Sequence, residues 1–227
     1  MVQASDFAGR PFVVRVDDAT ANDDHTTLID DLRVLTERSV RPIIVAPDAL
    51  AARALVRSMN RSTNTAIALS GSDAALLPHG PGGIGAVQTR ILDTLTSAGF
   101  IPIVEPTAFT VFDSDDTVVI ADDVAAAIAT ACHASRAVFF HRAGGVTDPE
   151  TEAFIAELTP AEALALADDA RVPEDLRAAV RAAAVGVRGG IPAAQIVDGR
   201  VAHAVVIELL TAQYVGTRVT GALLLAS

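Results

Sequence analysis

The sequence predicts an α/β fold, a three-layer α/β/α sandwich around a mostly parallel central sheet. Three observations carry that expectation. Short β-branched runs alternate with longer segments of helical periodicity along the whole chain. The runs are apolar at consecutive positions, as strands buried on both faces must be. Hydrophobic residues make up 51% of the chain against 4% aromatics and no Trp, which describes an aliphatic core of small, closely packed side chains.

Each element can be read in turn. PFVVRV over 11–16 is a first strand, and HTTLIDDLRVLTER (25–38) spaces Leu28, Leu32 and Leu35 as a helix does. RPIIV leads into a strand over 42–46 that Pro47 ends, and ALAARALVRSMN is a helix. TAIALSG is a third strand, stopped at Gly71. PHGPGGIG (78–85) reads as a flexible Gly/Pro loop. Val87 to Ala98 is helical and FIPIVEP is another buried strand. AFTVFDSDDTVVIAD is expected to fold as a hairpin with DSDD at its turn; the tetrapeptide lacks the glycine and distal glutamate of a calcium loop. ADDVAAAIATACHA is a helix and RAVFFHRAGGV a strand entering a Gly-Gly loop. TPAEALALADDA opens with Thr159 and Glu162 at capping-box spacing. A helix over 173–186, the strand IPAAQIVDG, the helix HAVVIELLTAQ and the strand GTRVTGALL complete the chain.

The formal charge of −11 repels phosphate backbones, and no basic stripe interrupts it, so nucleic-acid binding is not expected. Cys132 is the only cysteine, which excludes an internal disulfide, and its alanine-rich setting reads as a buried inert thiol. His141 and His203 read as polar core or helix-entry residues. No stretch is long and apolar enough for a membrane helix, and MVQASDFAGR has no leader pattern; a soluble, cytoplasmic protein with no membrane partner is expected. A single domain over 1–227 is expected, with an N-lobe of 11–107 and a C-lobe of 108–222.

Four segments in fixed order resemble one family. They are ALSGSDAALL (68–77), AGFIPIVEP (98–106), VVIADDVAAAIATACHASRAVFFHRAGGVTD (118–148) and IVDGRVAHAVVIELLTAQYVGTRV (196–219). Together they resemble the amino acid kinases, most closely the acetylglutamate kinases, over about residues 11–219. The resemblance implies the amino acid kinase, or carbamate kinase-like, fold. It also implies transfer of the γ-phosphoryl of ATP, with Mg²⁺, to a carboxylate, carbamate or phosphate. Two lysines, glycine N–H donors and an organising aspartate would serve that reaction by positioning and charge.

Position by position, the family pattern meets different residues here. Arg15 stands for the first lysine, and Asp17 and Asp18 stand where two glycines are expected. The glycine turn after the second strand is Ala46-Pro47-Asp48, and Pro47 has no N–H to offer. Asp122 matches the organising aspartate, but the two substrate-holding asparagines before it are Val118 and Ile120. The second lysine aligns with Ala179, with Arg177 and Arg181 nearby, and Arg142 replaces the nucleotide-side aspartate after His141. Between ALAARALVRSMN and TAIALSG only about Arg61 to Asn64 remain where the family carries a substrate lid, and the N-terminal helix of arginine-sensing forms is not expected.

The candidate catalytic residues are therefore Arg15, Asp122 and Arg177, and the candidate nucleotide contacts are Arg142, Gly144 and Gly145. Asp17, Asp18, Asp48, Ser70 and Gly71 are candidates for a substrate or cation pocket, in which the aspartates would meet Asp122 around a metal, amine or guanidinium. Plainer readings stand beside these: the first three aspartates as solvated loop residues, the Gly-Gly pair as a turn, and Arg15 paired to Asp17 or Asp18. The expected function is that of a degenerate, acetylglutamate-kinase-like protein without ordinary kinase activity. It would bind a small molecule, such as an amino acid derivative, as a homo-oligomer or beside another enzyme subunit. The alternatives are an active, diverged kinase with a carboxylate acceptor, and an assembly protein using the family's dimer surface.

Overall fold

The computed structural model describes residues 7–18, 26–110, 116–210 and 215–221. In chain order the elements are β1 (Pro11–Arg15), α1 (Thr26–Glu37), β2 (Arg41–Val45), α2 (Ala49–Asn60), β3 (Ala66–Leu69), β4 (His79–Gly80), β5 (Gly83–Ile84), α3 (Arg90–Ser97), β6 (Ile101–Val104), β7 (Thr107–Ala108) and β8 (Thr117–Val118). They continue as α4 (Ala121–Ala131), β9 (Arg136–Phe140), β10 (Val146–Thr147), β11 (Phe154–Ile155), β12 (Glu157–Leu158), α5 (Pro160–Asp168), α6 (Glu174–Arg188), β13 (Ala193–Val197), α7 (Ala204–Leu210) and β14 (Thr217–Thr220).

Eight strands form one sheet in the order β12-β14-β13-β9-β1-β2-β6-β3. Every neighbouring pair is parallel except β13 with β14. The consecutive apolar residues have the physical consequence expected of them, because alternate side chains enter opposite layers. Val13, Ile43 and Phe139 pack with α3, α4, α5 and α6 on one face. Phe12, Val14, Ile44, Val138 and Phe140 pack with α1, α2 and α7 on the other. Each such fully buried side chain is worth about 1.5–3 kcal/mol of transfer free energy, so both layers are needed to cover the sheet.

Thr159 and Glu162 form the expected capping box, Thr159 Oγ1 accepting from the Glu162 amide and Glu162 Oε2 from the Thr159 amide at 2.7 Å. The expected loop 78–85 is instead a tight hairpin, with His79 opposite Ile84 and Gly80 opposite Gly83. Pro81 and Gly82 make the turn, Gly83 leaves it at φ +94°, and the Gly85 amide donates to the Pro78 carbonyl at 2.7 Å. The hairpin expected over 108–122 exists as β7 paired with β8, Thr107 opposite Val118, while residues 113–115 of its DSDD turn lie outside the described residues and 121–122 begin α4. The same holds for His25, for residues 211–213 of the last expected helix and for 222–224 of the last expected strand. The α2–β3 connection is short and clamped, since the Asn60 side chain both donates to and accepts from Ala66 at 2.9 Å.

Gly71 is where the ends of β3 and β7 come closest. A Cβ there would lie 2.0 Å from the Thr107 carbonyl oxygen, which is backbone and has no room to retreat. Gly71→Ala is therefore expected to destabilise the fold by about 3 kcal/mol, read as a fall in urea midpoint at unchanged slope. An unchanged midpoint would contradict the close approach.

Candidate functional site

The carboxyl ends of β1, β2, β9 and β13 lie side by side, and α2, α4 and α6 direct their first turns toward that edge. This is the place where open α/β sheets take ligands. Arg15 closes β1 with its side chain 17% exposed, and its Nε stands 3.2 Å from Oδ1 of Asp122, whose side chain is 6% exposed. The contact is an ion pair, not a directed hydrogen bond, since neither atom meets a hydrogen-bond partner. Burial pushes the Asp122 carboxyl above its ordinary value; Arg15 pulls it down, Asp123 adds to the rise, and His141 offsets part of it. The partner expected for Arg15 was Asp17 or Asp18; the pair seen here is with the carboxylate that the sequence offered as an organiser.

His141 and Arg142 follow β9. The Ala143 amide donates to His141 Nδ1 at 3.1 Å, so in the neutral ring the proton sits on Nε2, 3.3 Å from Asp175 Oδ2. Arg142 Nη2 is 3.7 Å from the same oxygen, although the Arg142 side chain is otherwise largely in solvent. Burial raises Asp175, but the Leu176 amide, His141 and Arg142 together hold it below the usual carboxylate value. At the end of β13, Arg200 Nη2 pairs with Asp198 Oδ2 at 2.7 Å and also donates to the Arg142 carbonyl at 2.8 Å. Those Arg200 bonds depress Asp198 despite its burial. These contacts form one row along the edge of the sheet, at the ends of β1, β9 and β13.

The helix N-termini on this edge are likewise closed by the chain's own acids. Asp48 caps α2, its Oδ1 accepting the Ala51 amide at 2.7 Å. The Ala46 amide is bound by Val104 and the Ala52 amide by Asp48. Asp122 and Asp123 occupy the first turn of α4, and Glu174 and Asp175 that of α6, where the helix dipole favours negative charge. Asp17 is not a solvated loop residue, being 8% exposed, whereas Asp18 and Asp48 are exposed. Among the described residues no three carboxylate, imidazole or thiol groups come together as a metal-ligating cluster.

The remaining candidates sit as follows. Ser70 is fixed by Asp73, whose Oδ2 accepts its amide at 2.7 Å and its hydroxyl at 3.1 Å, and Ser72 reaches Asp116 at 2.9 Å. The Gly71 amide donates to Thr107 Oγ1 at 3.1 Å. Glu105, 9% exposed at the end of β6, lies near Asp73 and Asp116 and pairs at 3.9 Å with Arg53. Gly144 and Gly145 have φ of +71° and +151°, and a Cβ on Gly145 would meet the Phe154 ring at 2.6 Å, so this pair is a packed turn. Ala179 is 1% exposed in the helix–sheet core and faces away from the edge. Arg177 Nε is buried without a hydrogen-bond partner among the described residues. Arg181 binds the Ala167 carbonyl and Asp168, both at 2.9 Å, tying α6 to α5. Cys132 is half-buried, and burial, with Asp93, pushes its thiol up to about 12. His203 enters α7 with Nδ1 2.7 Å from the buried Asp31.

Sequence reasoning missed the roles of Asp175, Asp198 and Arg200. The EDLR helix start and the DGR turn were visible, but only the order of β1, β9 and β13 shows which charges meet.

Comparison with known proteins follows the same lines. The amino acid kinase family model matches residues 46–198. Acetylglutamate kinase of Campylobacter curvus is 30% identical over 202 residues, covering 85% of this chain and 71% of that protein. Acetylglutamate kinase of Rhizorhabdus wittichii is 37% identical over 131 residues, covering 58% of this chain and 43% of that protein. Among solved structures, N-acetylglutamate synthase from Neisseria gonorrhoeae superposes with a TM-score of 0.80 at 16% identity, over 97% of this chain and 61% of that one. Carbamate kinase from Giardia lamblia does so with a TM-score of 0.68 at 12% identity, over 94% of this chain and 99% of that one. At these identities the structures establish a shared fold.

Two predictions follow from the charge row. Arg15→Met leaves Asp122 buried without its cation and is expected to cost about 3 kcal/mol, whereas Arg15→Met with Asp122→Leu recovers most of the loss; chemical denaturation of the three proteins reads this directly. The second concerns acid. The native carboxyl of Asp198 is held below its unfolded value, so its stabilisation is full above the unfolded value and is lost as pH falls through the native one. Asp198→Asn should therefore be less stable than the parent near neutrality, and the gap should close as pH falls below about 4.

Proposed function

The chain belongs to the amino acid kinase family, and from that premise we propose that it is an acetylglutamate-kinase-like member that has given up phosphoryl transfer and serves as a ligand-binding or partner-binding subunit. One observation carries the reading: the cations at the strand ends are matched by carboxylates of the same chain. Arg15 faces Asp122, Arg142 faces Asp175, and Arg200 faces Asp198.

Phosphoryl transfer is catalysed almost entirely by position and by positive charge around the moving group. A dianionic γ-phosphoryl entering this edge would displace the internal carboxylates or lie beside them, and at the Arg15–Asp122 pair it would do so where burial has weakened water's screening. The amide donors offer no relief. Asp48 already caps α2, and Pro47 has no N–H. Ala179, at the position aligned with the second lysine, is sealed in the core. The residues present thus do not fit Mg·ATP in the manner the family requires, and no catalytic step is derived through it. Small-molecule recognition, a property of the family's active members, is what the remaining architecture can still support.

Incubation with N-acetylglutamate, ATP and Mg²⁺ in the presence of hydroxylamine tests the reading. No hydroxamate above the protein-free control is expected. Time-dependent hydroxamate that is lost in Arg15→Met would establish an active kinase and end this proposal.

A further inference from the structure

A second concavity lies away from the charge row. It is a groove of about 730 Å³ bounded by the β4–β5 hairpin, the end of β8 and the outer flanks of α4 and α6. That volume is within the usual range for small-molecule sites. Val118, Ile120 and Val185, exposed by 80%, 56% and 51%, all line it. Three large apolar side chains from two neighbouring segments therefore face water across one cleft, which is unfavourable unless something covers them. The floor is deep because Ala127 and Gly189 are small. Gly189 must stay so, since a Cβ there would come within 2.7 Å of Thr130.

The polar lining is sparse and has a sign. Asp123 supplies a carboxylate to one wall, and His79 an imidazole to the hairpin rim. Arg181 acts on Asp123 electrostatically from outside the lining, but its hydrogen bonds go to Ala167 and Asp168. Asp122 faces Arg15 while its neighbour Asp123 faces the groove, so the two sites share a helix turn and no side chain.

We propose that this groove binds a small molecule made of a bulky apolar body and one ammonium group, the body lying on Val118, Ile120 and Val185 and the ammonium on Asp123. A carboxylate set among apolar walls selects a cation over an anion of the same shape, because only the cation gains an ion pair when it is desolvated. The chain's net charge of −11 favours the same sign. Val118 and Ile120 stand at the positions that the family resemblance assigns to substrate-holding asparagines, and recognition of a cation on them requires no phosphoryl transfer at the strand ends.

Calorimetric titration of the full chain with 4-phenylbutylammonium, 4-phenylbutanol and 4-phenylbutyrate is the test. The ammonium should bind about fivefold or more tighter than the alcohol, and the carboxylate weakest. Asp123→Asn should bring the ammonium to the level of the alcohol and leave the alcohol unchanged. Ala127→Trp should abolish all binding by filling the floor. Should that variant fail to fold, Val118→Ser with Val185→Ser, both at exposed positions, should weaken all three probes. Absence of binding, carboxylate binding equal to ammonium binding, or affinities indifferent to these changes would overturn the proposal.

Discussion

Burial of charge at the ends of parallel strands is the constraint on which the rest of this structure depends. β1 lies near the middle of the sheet, and Arg15 at its end is largely out of water. A guanidinium in that position must be neutralised, and the first turn of α4 supplies the carboxylate. At β9 and β13 the cations Arg142 and Arg200 are more exposed, and Asp175 of α6 and Asp198 pair with them at the rim of the same edge. Local rules and global rules agree here, because acids in the first turn of a helix also suit its dipole.

The chain keeps the fold of the amino acid kinase family, and at its strand ends arginines meet carboxylates of the same chain. A kinase needs amides and cations whose partners arrive with the substrate. In this chain the partners are already present, so the edge is stabilised in the absence of any ligand. Asp48 illustrates the exchange. One carboxylate both completes α2 and adds negative charge beside the position a phosphate would occupy. Helix capping of this kind is worth about 1 kcal/mol, which is a gain in stability at the place where a catalyst would stay open.

Much of the fold was legible in the sequence. The two-faced strands, the α2 helix and the Thr159 capping box depend on local periodicity and on interactions three residues apart, and the family resemblance supplied their order. The 78–85 hairpin was not legible, because its glycines signal a turn without saying that His79 and Ile84 will pair. At the site, Arg15 and Asp122 were both visible as charged residues of interest. That they neutralise each other was not, since 107 residues separate them and no pattern links them. Ala179 could be aligned with a lysine, yet only the packing of α6 shows that it faces the core. Val118 and Ile120 were singled out in the sequence as apolar replacements, but the lateral groove was not legible, because Val185 of α6 meets them only through the packing of α6 on α4.

The central claim is that internal carboxylates, not phosphates, hold the strand-end cations. Calorimetric titration of the intact protein with Mg·ATP at near-neutral pH and low salt addresses it most directly. The account predicts no saturable heat corresponding to a Kd tighter than about 1 mM. Saturable one-to-one binding in the micromolar range, weakened by Arg15→Met or Arg142→Ala, would contradict it.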